Sequence, residues 1–566
     1  MEHDLIISGG TVVDGSGAPG IRADVGVKDG RISRIGDLSN DTAAENIDAT
    51  DRIVSPGFVD LHTHLDAQIG WDPHMTSTSF HGVTTALIGN CGVSFAPCGP
   101  KNHRYLAELM ESVEDIAADA IMDGLPWDWT TYGDYLDTVE RLNPSLNVVG
   151  LVGHSSLRYE AMGDRSMDEG AQPDDRELKH ITKMVKESME GGAVGFSTSR
   201  FLQHKVPDGR CTPGTWADLR ETKAIQEAVI EGGGVGSLFQ SANDMATRYE
   251  TELQMFRDGM DLGCQVLFSG GTGREGDGGV GRWREFLEAG NQDGKRITSI
   301  CHTRPSGAFF GLAQLSPFTQ KSRAWRKLMG LPTIGDRVAA MRDEQTRKTL
   351  IEEGIEAGDL KNLAGMLHPF GIGESPDLDF DQKASLRQLA EAEGKDPVEV
   401  YVDRLIASEG REFFNMWMFG GALENQWNYM RLPHVVPMLG DAGAHVGFFT
   451  DTDSPTVLLS ELTRKQGVYS LEEAIHRISG KSAEVLGLKE RGLLKEGWHA
   501  DINVIDYENL STHHAEYVND FPHGGGRFIV KSTGYDATIV AGEVVVRNCV
   551  HTNSRPGEVI REFHRG

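Results

Sequence analysis

The chain has 566 residues and a formal net charge of −29, because 84 Asp and Glu residues outnumber 55 Lys and Arg residues. Phosphates and anionic lipids need a cationic surface, so this composition excludes a non-specific nucleic-acid binder and argues against a membrane partner. Hydrophobic residues make up 39% and charged residues 25%, as in ordinary globular proteins, and the length allows one large domain with additions.

Two further features of the sequence bear on the cellular compartment. The opening segment, MEHDLIISGG, has neither the basic nor the apolar region of a secretory signal, and no apolar run approaches the roughly 18 residues of a membrane-spanning helix. Six cysteines in a chain of this length are typical of a reducing compartment rather than of a disulfide framework. We therefore predict a cytoplasmic protein.

Both ends of the chain have the pattern of short β-strands. Residues 1–55 alternate apolar and polar side chains, and Asp29-Gly30 is a pair typical of a tight hairpin turn. Residues 491–566 contain similar stretches, ADINVIDY and ATIVAGEVVVRN. Because a long middle separates these two segments, we predict one small β-sandwich domain that is formed from both termini.

The middle, residues 56–490, predicts an α/β fold, a (β/α)8 TIM-like barrel. Eight apolar runs alternate with stretches of helical periodicity, and eight parallel strands are the number that closes such a barrel. The runs are IVSPGFVDLHTH, GVTTALIGNC, LNVVGLVGH, AVGFSTS, GVGSLFQ, CQVLFSG, RITSICH and VVPMLGDAGAH. A long gap before the last run predicts an insertion at about 303–433. Such excursions often form lids or oligomer contacts, which leaves a homo-oligomer open.

In a barrel of this type, function gathers at the carboxyl ends of the strands. His62 and His64 end the first run two residues apart, so both imidazoles lie on one face, with Cα atoms about 7 Å apart. They could be ordinary buried histidines. Asp441, at the end of the last run, favours a metal site instead, because a carboxylate there can bind the cation and accept a proton from its water molecule.

Other strand ends carry residues whose roles the sequence leaves open. Cys91 is either a free buried thiol or a metal ligand, since a metal would stabilise its thiolate. His154 is a substrate hydrogen-bonder, a ligand or a structural residue. Arg200 and Arg304 could each bind a substrate carboxylate through two hydrogen bonds, or form a salt bridge with one of the many acids.

Two further histidines and a glycine-rich segment lie near these strand ends. His302 is either a ligand or a residue that flanks the pocket, and His445 is more typical of a residue that supports a ligand. Residues 271–276, GTGREG, match the GxGxxG pattern of dinucleotide-binding proteins. The next strand ends in His302 and not in the acidic residue that such a site needs, so we predict a mobile loop at the top of the barrel.

Five motifs together resemble a known family. They are GFVDLHTHLD (57–66), GNCG (89–92), GHSSLR (153–158), GFSTSR (195–200) and GDAGAHVG (440–447), and they look like the N-acyl-D-amino-acid deacylase (D-aminoacylase) branch of the amidohydrolase superfamily. The resemblance implies a metal-bearing barrel with a small β-sandwich. It also implies that His62, His64 and Asp441 bind the metal, that Asp441 carries the proton, and that Cys91 contacts the metal.

The chain departs from this branch at two strand ends. Members of the branch carry a histidine after the fifth strand and another after the sixth, followed by a lysine that recognises substrate. Here the fifth strand ends with Gln240 in SLFQSAND, and the sixth ends LFSGGTG. We therefore predict a single divalent ion per chain, Zn²⁺ or another divalent metal, while the lost lysine leaves the specificity for N-acyl-D-amino acids open.

We predict a metal-dependent hydrolase that cleaves a non-peptide carbon–nitrogen bond in a small anionic amide. The cation lowers the pKa of a water molecule toward 7, and Asp441 moves its proton to the leaving nitrogen. Two alternatives remain. One is a hydrolase of the same fold acting on a cyclic amide, an imide or a formamide, and the other is a catalytically lapsed barrel that serves as a binding or assembly subunit.

Overall fold

The computed structural model describes residues 2–565, apart from 314, 372–374, 377, 379–383, 421 and 450. Its centre is a barrel of eight parallel strands that are hydrogen-bonded in chain order. The strands are Phe58–Asp60, Val83–Ile88, Asn147–Gly153, Gly195–Ser199, Leu238–Ala242, Gln265–Ser269, Arg296–Ile300 and Val435–Val436. The predicted (β/α)8 barrel is confirmed.

The barrel closes just beyond the ends of its first and last strands. Thr63 pairs with Ala442 in a parallel bridge, and the N–H of His64 donates to the carbonyl oxygen of Ala442 at 2.7 Å. Both partners belong to the motifs in which we predicted metal ligands. Closure of the barrel therefore brings the HTH and GDAGAH segments side by side.

Helices cover the outside of the barrel. They are His103–Glu114, Ala118–Gly124, Tyr132–Arg141, His154–Met162, Asp175–Glu190, Leu219–Gly233, Tyr249–Leu262, Val280–Ala289, Leu423–Met430, Ser454–Val457, Leu471–His476 and Ser482–Leu486, with wider π-helical turns at Leu458–Lys465 and Arg477–Lys481. The periodicity in DDRELKHITKMVKESMEGG corresponds to Asp175–Glu190, which buries Ile181, Val185 and Met189. Within the described part of the chain, no helix combines the length and the apolar character that a membrane crossing requires.

A second, smaller sheet joins the two termini. Its nine strands are Glu2–Val12, Ile21–Lys28, Arg31–Gly36, Thr42–Asp48, Ile53–Pro56, Ile502–Ile505, Tyr535–Val540, Glu543–Arg547 and Val550–His551. The first strand pairs with Thr42–Asp48 along one half and with Ile53–Pro56 at its end, so the sheet divides there into two wings. Both wings contribute to one separate apolar core. The predicted small β domain from both termini is confirmed.

The structure contains the predicted hairpin turn but divides the first apolar run between two sheets. The Asp29-Gly30 turn connects Ile21–Lys28 to Arg31–Gly36, and both turn residues have positive φ angles, of 50° and 73°. The run IVSPGFVDLHTH is not one strand, because Ile53–Pro56 belongs to the terminal sheet and Phe58–Asp60 to the barrel. Gly57 lies at the crossing, where a Cβ atom would meet the side chain of Thr84 at 2.1 Å.

Between Ile300 and Val435 the chain forms a helical layer with a core of its own. Its helices are Arg323–Met329, Ile334–Arg342, Glu344–Ala357, Asp359–Leu363, Leu386–Glu393 and Pro397–Ala407. A three-stranded sheet joins Phe309–Phe310, Phe414–Met416 and Leu367–Pro369. Two short ladders follow near the end of the chain, Ser511–Thr512 with Ser532–Thr533 and Glu516–Val518 with Arg527–Ile529. The limits predicted for the insertion and for the three segments of the chain stay predictions.

A buried carboxylate connects the terminal domain to the barrel. Asp501 accepts hydrogen bonds from the guanidinium of Arg491, from Nδ2 of Asn147 at 3.1 Å and from the backbone N–H of Ala541 at 2.9 Å. Asn147 begins the third barrel strand. The Arg491 and Asp501 side chains are only 3% and 5% exposed, and Arg491 has a second carboxylate partner, the half-exposed Glu558, at 2.5 Å.

We expect Asp501→Ala to lower the free energy of unfolding by about 1–3 kcal/mol, because it removes the hydrogen bonds of a buried joint and leaves Arg491 with only the half-exposed Glu558 as a partner. Glu490→Ala is the matched control. Its ion pair with Arg31 is about half exposed on both sides, so its loss should leave the free energy of unfolding nearly unchanged. Urea denaturation of both variants measures the difference, and equal costs would contradict the role of Asp501 as the joint.

Candidate metal centre and active site

Three side chains converge at the carboxyl ends of the first two barrel strands. The potential ligand atoms of His62, His64 and Cys91 all lie within 4.8 Å of one another, and all three residues are buried. Nε2 of His62 is 3.2 Å from Sγ of Cys91. The structure thus brings together three of the four residues predicted to bind metal.

The fourth, Asp441, reaches this group from the last barrel strand. Its Oδ1 is 3.2 Å from Nε2 of His62 and 3.6 Å from Nε2 of His64. The backbone of Asp441 has a φ of 46°, in the left-handed region, which is a sparsely populated conformation for a residue with a side chain. The parallel bridge at Ala442 holds this segment in place.

The loop that carries Cys91 is tightly held. Gly89, Cys91 and Gly92 all have positive φ angles, so the chain turns sharply at the end of the second strand. The backbone N–H of Cys91 donates to Oε1 of Gln240 at 3.2 Å, and that of Gly92 donates to Oγ of Ser197 at 3.0 Å. Gln240 lies in the middle of the fifth strand, Leu238–Ala242, and its amide fixes the neighbouring loop.

The ionisation of these groups follows from burial and from their mutual contacts. Burial lowers the pKa of His62 to about 4, so this imidazole is neutral and able to bind a cation at neutral pH. Burial raises the pKa of the Cys91 thiol to about 11. Burial would also raise the pKa of Asp441, but His62 and His64 outweigh it and hold that pKa well below its usual range.

These residues fit a divalent metal ion. Two imidazole nitrogens, one sulfur and one carboxylate oxygen are the donor types that zinc takes in proteins, and here they converge from three barrel strands. With its raised pKa, the Cys91 thiol would need a cation to become a thiolate. His62, His64, Cys91 and Asp441 are therefore the residues that could hold the metal.

A carboxylate lies behind one of the imidazoles. Glu114 is the last residue of the helix His103–Glu114, and its side chain is 1% exposed. Its Oε1 is 3.0 Å from Nδ1 of His64, and its Oε2 is 3.9 Å from Nδ1 of His445. Burial would lower the pKa of His64, but the neighbouring carboxylates of Glu114 and Asp441 raise it well above its ordinary value.

The cluster opens into a cavity of about 900 Å³. His62, Cys91 and Asp441 line its inner part, and His204, His302 and His445 add further imidazoles. The outer part is lined by the glycine-rich segment 270–279 and by residues 418–420 of the long excursion between the last two strands. The GxGxxG segment thus lies at the top of the barrel, as predicted.

Two residues predicted to bind substrate lie outside this cavity. Arg200 is 3% exposed, and its guanidinium donates to Oε1 of Glu252 at 3.2 Å and to the carbonyl oxygen of Gly214 at 3.3 Å. His154 is fully buried, with Nε2 2.9 Å from Glu221 and Nδ1 2.9 Å from Thr198. Since their polar atoms are already bonded to buried partners, we no longer assign them to substrate binding.

Arg304 is a third correction. It is also absent from the cavity wall and lies in a buried pair of salt bridges, with Nη2 3.0 Å from Asp451 and 3.1 Å from Asp453. The effect of these carboxylates outweighs that of burial and raises the pKa of the guanidinium, so its charge is already compensated by buried partners. Its neighbour His302 does line the cavity, with Nδ1 3.7 Å from Asp451 and its ring stacked on Phe419.

Sequence reasoning missed Glu114, His204, Arg274 and Arg282. Glu114 lies within an ordinary acidic stretch, ESVED (111–115), which gives no sign of burial. His204 follows the GFSTSR motif by four residues, a signal that could have been used. The guanidinium groups of Arg274 and Arg282 line the cavity from the glycine-rich segment and from the helix that follows it.

Comparison with known proteins places the chain in a family. The family model described as "Amidohydrolase family" matches residues 45–257 and 388–546. An N-acyl-D-glutamate deacylase of Alcaligenes xylosoxydans xylosoxydans is 39% identical over 565 residues, which cover 99% of this chain and 96% of that protein. The chain belongs to the amidohydrolase family. It is a metal-dependent hydrolase of carbon–nitrogen bonds, of the deacylase type, and the predicted D-aminoacylase branch is confirmed.

Two other similar proteins extend this comparison. An N-acyl-D-aspartate deacylase of the same organism is 27% identical and covers 90% of this chain and 87% of that protein. A crystal structure of an N-acyl-D-glutamate deacylase from Bordetella bronchiseptica, complexed with zinc and a phosphonate inhibitor, has a TM-score of 0.66 and 24% identity. It covers 99% of this amidohydrolase and 100% of that chain, which shows that the two share a fold.

We expect Cys91→Ser to weaken zinc binding to this amidohydrolase by at least about 10–100-fold. That loss is typical when a residue that only supports a ligand is replaced, and Cys91 would be a ligand itself. The Co²⁺-loaded variant should also lose its sulfur-to-cobalt charge-transfer absorption. Cys301→Ser is the matched control, because Cys301 is equally buried and lies outside the cluster. Chelator competition measures the affinities, and an unchanged spectrum in Cys91→Ser would exclude the thiolate as a ligand.

Proposed function

We propose that this amidohydrolase removes the acyl group from N-acyl-D-amino acids with an acidic side chain, and that it uses one zinc ion per chain. The observation that carries the proposal is the convergence of His62, His64, Cys91 and Asp441 at the inner end of one cavity. The two deacylases that act on acidic D-amino acids, at 39% and 27% identity, support the substrate class.

We infer one metal ion per chain because the fifth and sixth barrel strands contribute no imidazole. The fifth strand carries Gln240, whose amide accepts the N–H of Cys91, and ends with Ala242; the sixth ends with Ser269 before Gly270 and Gly271. Within the described residues, the cluster around His62 is the one group of three or more His, Cys, Asp or Glu side chains close enough to share an ion. This supports one ion per chain.

The chemistry of the proposed reaction divides between the cation and Asp441. A divalent cation held by these donors supplies polarisation of the amide carbonyl and lowers the pKa of a water molecule toward 7. The carboxylate of Asp441, kept ionised by His62 and His64, accepts a proton as the water oxygen bonds to the carbonyl carbon. It returns that proton to the nitrogen as the carbon–nitrogen bond breaks, which releases a carboxylic acid and a free amino acid.

The outer part of the cavity offers cationic groups for an anionic substrate. Arg282 lies on the helix Val280–Ala289, with its guanidinium over the ring of Tyr249. Arg274 lies in the glycine-rich segment and donates one hydrogen bond, at 2.9 Å, to the carbonyl oxygen of Trp417. Both guanidinium groups keep donors for a carboxylate, so they replace Arg200 and Arg304 in our proposal.

The proposed compartment remains the cytoplasm, because the cysteine content of the chain is low.

We expect Asp441→Asn to lower kcat by 10²–10⁴, because an amide of the same shape cannot accept the proton. The variant should remain folded and should still contain metal, since His62, His64 and Cys91 are unchanged. Steady-state kinetics with elemental analysis of the same sample is the measurement. Activity within tenfold of the parent enzyme at full metal occupancy would show that another group lining the cavity moves the proton.

We expect Arg274→Met and Arg282→Met each to raise KM for N-acetyl-D-glutamate more than tenfold, since a hydrogen bond between charged groups contributes about 1.5–3 kcal/mol. Arg284→Met is the matched control, on the same helix but outside the cavity wall. The panel includes N-acetyl-D-aspartate, N-acetyl-L-glutamate and a cyclic amide. An unchanged KM in both variants, or preference for the L-isomer or the cyclic amide, would contradict the proposed substrate.

A further inference from the structure

Glu114 is a buried carboxylate in an unfavourable place. Its side chain is 1% exposed, and it ends the helix His103–Glu114, where the helix dipole already carries partial negative charge. Isolated buried carboxylates cost several kcal/mol unless a positive group compensates them. Such a residue needs a reason to be charged and buried at this position.

The partners of Glu114 are unusual. Among the described residues, its ion pairs join it only to imidazoles, with Oε1 3.0 Å from Nδ1 of His64 and Oε2 3.9 Å from Nδ1 of His445. No Lys or Arg of the described chain lies within ion-pair distance of it. Neither its Oε2 nor Nδ1 of His64 has an aligned hydrogen-bond partner there, so the 3.0 Å approach of Oε1 to Nδ1 is an ion-pair contact. The compensating charge therefore has to come through the histidines.

The two nitrogens of His64 face in different directions. Nδ1 faces Glu114, and Nε2 faces Oδ1 of Asp441 within the metal cluster. A histidine that binds a metal through one nitrogen commonly donates its other N–H to a carboxylate, which fixes the ring and raises its basicity. A cation at Nε2 would also supply the positive charge that the buried carboxylate lacks.

The backbone holds Glu114 in this position from two sides. The N–H of Val446 donates to the carbonyl oxygen of Glu114 at 3.1 Å, which fastens the loop after Asp441 to the end of the helix. His64 itself is fastened to the same loop by its N–H, which donates to Ala442. The backbones of Glu114 and His64 are thus both fastened to the loop that follows the last barrel strand, which keeps the carboxylate beside the ring.

We propose that Glu114 is a positioning residue for the metal: it accepts the Nδ1–H of His64 and thereby directs Nε2 of that ring, as an electron-rich ligand, toward the cation. The proposal rests on the metal cluster of the proposed function and adds a residue from a helix outside the strands. Glu114 touches neither substrate nor the reacting atoms, so its effect appears first in metal affinity.

Glu114→Gln tests the proposal, because it removes the charge and keeps the shape. We expect the zinc dissociation constant of the whole protein, measured by chelator competition, to rise 10–100-fold. Glu221→Gln is the matched control: Glu221 is an equally buried carboxylate, 2.9 Å from Nε2 of His154, but that histidine lies outside the cluster. The control should lower thermal stability without changing zinc affinity.

The outcomes separate this inference from the proposed function. A folded Glu114→Gln protein that binds zinc within threefold of the wild type would overturn the role of Glu114 and leave the metal cluster standing. A wild-type protein that binds no divalent ion would overturn both. If the variant does not fold, a crystal structure of the zinc-loaded wild type decides: zinc on Nε2 of His64 with Glu114 on Nδ1 supports the proposal, and zinc on Nδ1 or on Glu114 itself overturns it.

Discussion

The closure of the barrel is the constraint on which the site depends. The N–H of His64 donates to Ala442, and Thr63 bridges the same residue, so the first and last strands join at the point where they carry His62, His64 and Asp441. Parallel strands place all their carboxyl ends on one face, and closing the ring brings the ends of the outermost strands together. The bonds that complete the fold are therefore within one or two residues of the bonds that would hold the metal.

The buried carboxylates near this closure divide into two kinds. Burial raises the pKa of Asp60 to about 8 and of Asp66 to about 6, and each accepts a backbone N–H beside the cluster. Asp441 and Glu114 instead face imidazoles, which hold their pKa values below the ordinary range against the effect of burial. Direct contact with imidazoles thus keeps Asp441 and Glu114 ionised despite burial, and these two carboxylates are the ones placed to bind the cation or to support its ligand.

The sequence predicted this inner part well because its geometry is local. A spacing of two on a strand places two imidazoles on one face, and strand order alone brings the last strand beside the first. It failed for Arg200 and Arg304 because a position past a strand end does not reveal where a long side chain goes. Their partners, Glu252 and Asp453, lie 52 and 149 residues away, and only tertiary packing shows that the guanidinium groups are already paired. Glu114 was missed for the same reason.

The groups proposed for chemistry and those proposed for recognition lie in different parts of the molecule. The groups proposed to bind the metal and carry the proton lie at or just past strand ends that the barrel fixes, whereas the outer cavity is built from segments far apart in the chain. Arg274 joins the glycine-rich segment to Trp417 at 2.9 Å, and Asn425 donates to the carbonyl oxygen of Gly273 at 3.2 Å, so the two segments support each other. The glycine-rich segment is also fastened to the barrel, because the N–H of Gly270 donates to the carbonyl oxygen of Ile300 at 2.8 Å. Under the proposed function, a barrel that keeps its metal-binding strand ends can supply the recognising cation from Arg274 or Arg282, in place of the lysine that the family resemblance led us to expect.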